Sequence, residues 1–311
     1  MFQNILVPLD GSTRAEQALP VAERLARAAK GRLLLARVVN PPIDYSGGLA
    51  PVPLMTDQIL ESEMAGATDY LTAVAARPAL SGIEIMTEVL YGFPGQQLIE
   101  SIEAHGTDLV VLCSHGRTGL SRWALGSVAH TLVHQSAAPV LILRQEGTPA
   151  RVEAARSIRT LVPLDGSPLA EAALAPAAAL TAALAAPHRG ALRLVQVVKA
   201  FQSKAEEGLV SELNEEARRL AHSYLATAAQ RMESTVAGRA LAVSFSVELA
   251  SDVASTLLGV AEQEGPDRCD VIAISTHGRG GLERWVMGSV TQRLLDTTRL
   301  PMLIVRPQRE E

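Results

Sequence analysis

Two glycine-rich segments have residue types and spacing that suit the binding of a phosphate. They span residues 113–127 and 275–289, each after an apolar run. Gly116 and Gly278 leave no side chain between the backbone amides and an anion. The Gly-Ser pair that ends each segment opens a predicted helix, whose N-terminal amides and dipole favour phosphate. The pattern favours a phosphate site over a loop shaped by steric needs alone.

An arginine in each segment and an aspartate in an earlier turn could complete such a site. Arg117 and Arg279 offer guanidinium donors that match phosphate oxygens. Asp-Gly-Ser turns follow the first strand of each half, at residues 10–12 and 165–167. Their structural role is a tight turn in which the Asp or the Ser caps the next helix. An Asp in this loop can also accept hydrogen bonds from a base or a sugar, and the two roles are compatible.

The motifs of two common nucleotide-binding classes are missing. No G-x-x-x-x-G-K-[ST] motif is present, and the lysines of the chain, Lys30, Lys199 and Lys204, lie outside the glycine-rich segments. This excludes a P-loop NTPase, and we expect no lysine to reach a bound phosphate. No G-x-G-x-x-G follows the first strand of either half, which disfavours a hydride-transfer dehydrogenase.

The remaining reactive side chains favour structural roles. His115 and His277 are interpreted as residues that shape the loop rather than as general bases. Ser127 and Ser289 are predicted to be helix N-caps rather than nucleophiles, because no G-x-S-x-G elbow surrounds them. Cys113 ends an apolar strand and is predicted to be buried and unreactive. No residue is assigned a catalytic role.

An internal repeat organises these residues. The run NILVPLDGS in the first half returns as RTLVPLDGS in the second, and SHGR returns as THGR. One unit of about 150 residues is therefore present twice, which indicates duplicated domains rather than a solenoid. A polar stretch containing Gly and Pro separates the copies. We predict domains at residues 1–146 and 158–311, joined by a linker at 147–157.

Short apolar runs alternate with longer helical patterns in each half. The predicted strands are 5–9, 33–39, 83–90, 109–113 and 140–143, then 160–164, 192–198, 241–249, 271–275 and 302–305. Helices are predicted between them, including 15–29 and 169–185. This alternation predicts an α/β fold of two tandem doubly wound domains, each a mostly parallel five-stranded sheet flanked by helices. Such folds bind ligands at the carboxyl ends of the strands, where the strand order reverses.

Composition and charge narrow the functional classes. Of 311 residues, 48% are hydrophobic and 20% are charged, which excludes a disordered chain. The net charge of −5 and the 3% of aromatic residues disfavour a nucleic-acid partner, which needs a basic patch or stacking side chains. Cys113 and Cys269 have no metal-ligand spacing and form no disulfide framework, which indicates a reduced, cytoplasmic compartment.

The apolar segments predict neither a signal peptide nor a membrane span. The N-terminal sequence lacks a charged region and a cleavage site, so no signal peptide is expected. The longest Ala/Leu run, residues 172–186, has 15 residues and contains Pro176. A spanning helix needs about 20 apolar residues. We therefore expect no membrane partner.

These motifs resemble those of the universal stress protein family. The family's motif, G-x2-G-x9-G-[ST], has its second and third glycines at Gly116 and Gly126 in the first half. In the second half they are Gly278 and Gly288. The repeated VPLDGS run and the closing PVLIL and PMLIV runs are also similar to the family. The resemblance covers essentially the whole chain as two tandem domains, and it implies an adenine nucleotide alpha hydrolase-like fold.

The resemblance implies an ATP site in each domain. In the family's ATP binders, the Asp after strand one and a Val of strand two hold adenine, the first motif glycine lies near the ribose, and the rest of the loop holds phosphates. The site implied in the first domain comprises Pro8, Asp10, Val38, Cys113, Gly116, Arg117, Gly126, Ser127 and Val128. The site implied in the second comprises Pro163, Asp165, Val197, Ser275, Gly278, Arg279, Gly288, Ser289 and Val290. Cys113 and Ser275 replace the motif's first glycine, and the bulkier, less polar Cys113 makes the first site the weaker one.

We therefore expect a cytoplasmic stress-response protein that binds ATP in one or both domains. Mg²⁺ is expected to bridge the phosphates, because no lysine is at hand. Two alternatives stay open: a scaffold with empty pockets that acts by dimerisation, and a slow ATPase. The last strand of each domain is a short apolar pairing edge, so we expect the two domains to pair within the chain. A homodimer of the chain also stays open.

Overall fold

Strands and helices alternate along the chain as the apolar pattern predicts. The computed structural model describes residues 1–40, 43–44, 52–53, 57–114, 125–144, 157–201, 207–237, 240–265, 267–278 and 287–307. The chain divides into two units, Met1–Val140 and Leu141–Glu311. The strands are β1 (Asn4–Pro8), β2 (Arg32–Val39), β3 (Ile43–Asp44), β4 (Val52–Pro53), β5 (Glu84–Tyr91), β6 (Leu109–Cys113), β7 (Val140–Leu143), β8 (Arg159–Pro163), β9 (Gly190–Lys199), β10 (Leu241–Ala250), β11 (Val271–Ser275) and β12 (Met302–Val305).

Helices of very different lengths connect the strands. They are α1 (Leu19–Ala29), α2 (Asp57–Ala75), α3 (Pro94–Ala104), α4 (Ser127–Gln135), α5 (Pro168–Glu171), α6 (Leu174–Ala185), α7 (Glu207–Thr235), α8 (Val253–Glu262) and α9 (Ser289–Thr297). Two short 3-10 helices occupy Ala15–Ala18 and Pro78–Leu80. The ten predicted strands are confirmed, with their ends within two residues of the prediction.

Each unit contains a parallel sheet with the same strand order. In the first unit the order is β6-β1-β2-β5, and β7 begins at Val140, the last residue of that unit. In the second unit the order is β10-β9-β8-β11-β12. In the first unit, β2 and β5 lie on one side of β1 and β6 lies on the other. In the second unit, β9 and β10 lie on one side of β8, and β11 and β12 lie on the other. The strand order therefore reverses between β1 and β6 and between β8 and β11, which is where such sheets bind ligands.

The strands next to these reversals form the centre of the core. All five residues of β11 are buried, and Leu161 and Val162 of β8 have no exposed surface. In the first unit Leu6 and Val7 of β1 and Val110 of β6 are equally buried. Strands covered on both faces by helices need near-continuous apolar sequence, as the composition of these runs predicts.

The first helix of each unit differs from the prediction. Residues 15–29 and 169–185 were each expected as one helix, whereas a short helical turn precedes α1 and the separate α5 precedes α6. Pro20 and Pro176 lie near the starts of α1 and α6. A proline has no N–H for the helical hydrogen bond, and its ring clashes with the carbonyl of the residue four positions earlier. The break in each unit follows from that proline.

One apolar stretch has the length and composition of a membrane span. It covers Pro168–Ala185, and 56% of it is buried. It is two helices rather than one, and its longer helix, α6, contacts β8, β9 and β11. Leu180 and Leu184 of α6 are buried. Within the described structure, α6 of this stretch packs against the sheet of its unit.

We predict opposite stability effects for alanine at two glycines of the second unit. Gly166 has φ +85°, and an L-residue in this left-handed conformation costs about 1–2 kcal/mol. Gly166→Ala should lower the free energy of unfolding by that amount. The matched control is Gly259→Ala in α8, where no atom lies within 4 Å of the new Cβ, and it should raise stability by about 0.5–1 kcal/mol. Urea denaturation followed by circular dichroism measures both changes, and an unchanged midpoint for Gly166→Ala would contradict the turn geometry.

Candidate functional site

The Asp-Gly-Ser turns form the floor of the candidate site in both units. Oδ1 of Asp165 accepts hydrogen bonds from the Ser167 N–H at 2.9 Å and the Ser167 hydroxyl at 2.6 Å. Ser167 is the N-cap of α5, and its Oγ accepts from the Ala170 N–H at 3.2 Å. The turn at Asp10 repeats the two carboxylate distances. The predicted turn and cap are confirmed, and they fix the direction of both carboxylates.

In the first unit, β2 extends beyond the end of the central strand, β1. Pro8 pairs with Ala36, and the Leu9 N–H donates to the Ala36 carbonyl at 2.8 Å. In a parallel ladder alternate residues bond to the same side, so the main chain of Val38 faces the side on which β1 has already ended.

The second unit has the same register. Pro163 pairs with Val195, and the Leu164 N–H donates to the Val195 carbonyl at 2.8 Å. Val197 therefore directs its N–H and C=O past the end of β8. The predicted valine of each domain offers a backbone donor and acceptor at this edge of the sheet.

Helices α4 and α9 begin at the same edge with uncapped N-termini. The Gly126 N–H donates to the Ser114 carbonyl at 2.9 Å, and the Gly288 N–H donates to the Thr276 carbonyl at 2.8 Å. These glycines are the N-cap residues, and neither helix has a side-chain cap hydrogen bond. The predicted N-cap role of Ser127 and Ser289 is wrong, because both serines are already the first helical residue. Amides at a helix start without a side-chain cap are suited to an anion.

A cavity of about 1130 Å³ lies at this edge in the second unit. Its lining includes the predicted residues Pro163, Asp165, Val197, Ser275, Gly278, Gly288, Ser289 and Val290. Arg279 lies outside the described residues. The structure thus brings together, around one cavity, predicted residues from three strand ends and one helix start.

The corresponding cavity in the first unit is about 390 Å³. Its lining includes the predicted residues Pro8, Asp10, Val38, Cys113, Gly126, Ser127 and Val128. Gly116, Arg117 and His115 lie outside the described residues. The two units therefore carry the same arrangement around cavities of very different size.

Two polar atoms in the lining of the second cavity are buried without a hydrogen-bond partner. They are Oε1 of Gln196 and Nε2 of His277. The other ring nitrogen of His277 lies 2.8 Å from the Thr276 hydroxyl, which orients the ring within the loop as predicted. A buried polar atom without a partner is costly.

Gly278 contacts the turn so closely that no side chain fits. A Cβ built on Gly278 would collide with Oδ2 of Asp165. The segment after β11 can therefore approach the turn after β8 only with glycine at this position. The glycine keeps two walls of the second cavity in contact.

Lys199 also lines the second cavity, contrary to the expectation that no lysine approaches the site. The reason is the length of β9, which extends to Lys199, whereas the apolar pattern predicts its end at Val198. Lys199 is exposed, so its ammonium group can meet an anion at the rim of the cavity without prior desolvation.

A Tyr–Glu–Arg cluster that the sequence analysis missed supports each site. Glu171 accepts from the Tyr224 hydroxyl at 2.9 Å and from Arg231 at 3.0 Å. The first unit repeats it, because Glu16 accepts from Tyr70 and Arg77, both at 2.9 Å. The partners are more than 50 residues apart along the chain.

The cluster changes the acidity of its tyrosines and anchors the long helix of each unit. Burial raises the pKa of Tyr224, and the hydrogen bond to the Glu171 carboxylate raises it further. The pKa of Tyr70 rises for the same two reasons, with Glu16 as its partner. Both phenols therefore stay protonated as donors. They fix α7 and α2 above the helical turn that follows each Asp-Gly-Ser sequence.

Among the described residues, no three His, Cys, Asp or Glu side chains could together hold a metal ion.

Comparison with known proteins identifies related sequences. The model of the universal stress protein family matches residues 1–144 and 158–306. Universal stress protein Rv2005c from Mycobacterium tuberculosis is 26% identical over 312 residues, which cover 97% of this chain and 96% of that protein. The similarity therefore includes both units.

A solved structure shares the fold. The crystal structure of a universal stress protein from Archaeoglobus fulgidus covers 98% of this chain and 99% of that chain, with a TM-score of 0.66 and 18% identity. A universal stress protein crystallised in complex with cAMP covers 46% of this chain and 97% of that chain, with a TM-score of 0.32 and 23% identity.

Both cysteines should be unreactive in the folded chain. Burial raises the pKa of Cys113 to about 12 and the pKa of Cys269 to about 11. Little thiolate is then present at mildly alkaline pH, and the thiolate is the reactive form. Cys269→Ser isolates Cys113, and Cys113→Ser isolates Cys269. We expect Ellman's reagent to modify neither thiol in native protein within minutes and both in guanidinium. Cys113 is only partly buried beside the first cavity, so rapid modification of native Cys113 would contradict its raised pKa.

Proposed function

The chain belongs to the universal stress protein family, and we propose that it binds ATP at the strand ends of at least its second domain. The nucleotide acts there as a ligand that regulates a stress response. The observation that carries this proposal is the cavity of about 1130 Å³ that joins the end of β9, the Asp165 turn and the start of α9. Small-molecule sites have volumes of about 300–1,000 Å³ and a few converging polar groups.

The end of β9 is suited to the adenine base. The N–H and C=O of Val197 face the cavity side of the strand, because β8 has ended at Pro163. A backbone donor next to a backbone acceptor can pair with a ring nitrogen and the exocyclic amine of adenine. Gln196, the residue before Val197, also lines the cavity.

The turn and the loop after β11 are suited to the sugar. Asp165 has a carboxylate whose orientation the Ser167 hydrogen bonds fix. A carboxylate accepts hydrogen bonds from hydroxyl groups, which a ribose presents in pairs. His277 lies in the same lining.

The start of α9 is suited to the phosphates. Because Gly288 has no side chain, the N-terminal amides of α9 are open to a ligand. No side-chain cap competes for these amides. Lys199 at the rim adds a positive charge. Mg²⁺ held by the phosphate oxygens would supply further neutralisation.

The described lining does not form a catalytic pair of nucleophile and oriented base. His277 bonds Thr276 through one nitrogen, and Ser289 is the first residue of α9. General base catalysis needs a base placed on the attacking group and oriented by a partner. Binding, rather than hydrolysis, is therefore the activity that the site supports best.

Valine at Gly288 should abolish most ATP binding. A Cβ at this position would lie 3.3 Å from the Thr276 carbonyl, and the branched side chain would cover the amides of α9. The backbone angles of Gly288, φ −57° and ψ 140°, are allowed for a residue with a side chain. We expect Gly288→Val to weaken ATP·Mg²⁺ binding by roughly tenfold or more in isothermal titration calorimetry.

The matched control is Gly259→Val, which makes the same change at an open, exposed position of α8. It should leave the affinity unchanged. Competition by GTP measures the contribution of the adenine base to affinity. Competition by cAMP measures the contribution of the linear triphosphate. No heat from wild-type protein at millimolar ATP would refute the proposed function, and wild-type affinity in Gly288→Val would refute the phosphate position.

A further inference from the structure

The two cavities have equivalent positions but different side chains. Arg37 and Gln196 each follow the residue that pairs with the proline ending the central strand, and each lines its own cavity. We propose that this position decides which domain takes the nucleotide: Gln196 leaves the second cavity open to ATP, and Arg37 closes the first. The inference rests on the proposed ATP site and specifies its place in the chain.

Arg37 lies across the floor of the first cavity. Its guanidinium carbon is 4.9 Å from the centroid of the Tyr70 ring, within the range of a cation–π contact. The same group lies 3.6 Å from the position of a Cβ on Gly11, in the Asp-Gly-Ser turn. Because the hydroxyl of Tyr70 is held by Glu16, the ring is a fixed support for the guanidinium. Arg37 therefore fills the space between the turn and the tyrosine.

The second cavity has the same tyrosine but no such cover. Tyr224 is the counterpart of Tyr70 in the Tyr–Glu–Arg cluster, and it lines the second cavity. In the described lining of the first cavity Arg37 is present and Tyr70 is not. Gln196 is shorter and uncharged, and it is 8% exposed with Oε1 unpartnered. The first cavity, at about 390 Å³, is smaller than the second, at about 1130 Å³.

The charged residues around the two cavities also favour nucleotide binding in the second. Glu63 of α2 lines the first cavity, seven residues before Tyr70, and Ala217 lines the second, seven residues before Tyr224. A carboxylate repels a triphosphate, whereas an alanine does not.

The strand ends add to this difference. Lys199 ends β9 and lines the second cavity, where the first has Asn40. A purine in the first cavity would also have to desolvate or displace the charged Arg37, which is costly. Size, charge and desolvation therefore all favour the second domain.

The test is the stoichiometry of ATP·Mg²⁺ binding to the full chain by isothermal titration calorimetry. Wild-type protein should bind one ATP per chain. Arg37→Gln combined with Glu63→Ala gives these two positions of the first cavity the residues of the second. The variant should bind two ATP per chain, and a variant that still binds one would overturn the role of Arg37. Gln196→Arg should weaken the wild-type site by roughly tenfold or more. Arg189→Gln removes an exposed cation that is in neither described lining and should behave as wild type.

The possible failures are distinguishable. If wild-type protein binds no ATP, the proposed function fails. If it binds two, or if Gln196→Arg binds as tightly as wild type, the function stands and the assignment of the site to the second domain is overturned. Photolabelling of wild-type protein with 8-azido-ATP, followed by peptide mapping, does not depend on the folding of any variant. Label confined to the second domain supports the inference, and label in the first domain overturns it.

Discussion

The register of the central strand determines the geometry of both candidate sites. β1 and β8 end at a proline, whereas β2 and β9 extend several residues further. In a parallel ladder the groups beyond the end of one strand lose that neighbour as a partner. The main chain of Val38 and of Val197 therefore faces a crevice. Since the strand order also reverses beside the central strand, loops from both of its sides enclose that crevice.

Two kinds of contact make this crevice rigid. The Asp-Gly-Ser turn fixes its aspartate through the serine that also caps the following helical turn. The Tyr–Glu–Arg cluster then ties that turn to the long helix above it, through hydrogen bonds of about 3 Å. The second cavity also depends on Gly278, because a larger residue would collide with Asp165. A site prepared in this way loses less entropy when a ligand binds.

Much of this arrangement follows from local sequence patterns. The central strands are near-continuous apolar runs, the turns repeat Asp-Gly-Ser, and the duplication shows which positions correspond. The breaks near Pro20 and Pro176 and the N-cap role of Gly126 and Gly288 were missed, since hydrophobic periodicity locates helix ends only within a few residues.

The Tyr–Glu–Arg clusters were missed for a different reason. Their Glu and Tyr residues are more than 50 positions apart and meet only through tertiary packing. A signal did exist: Glu follows the turn Asp by six residues in both halves, and Arg follows Tyr by seven. The difference between Arg37 and Gln196 was also visible in the sequence. Its consequence depends on where Arg37 lies relative to Tyr70, which only the structure provides. Duplication has kept the backbone of the two sites and changed the side chains that occupy them.

Residue-resolved hydrogen exchange of the full chain, with and without ATP·Mg²⁺, tests the central claim most directly. The account predicts slower exchange at the amides of Val197 and Ser289 when the nucleotide is present. Exchange at the equivalent amides of Val38 and Ser127 should not change. Protection of all four amides, or protection elsewhere with Val197 and Ser289 unaffected, would contradict it.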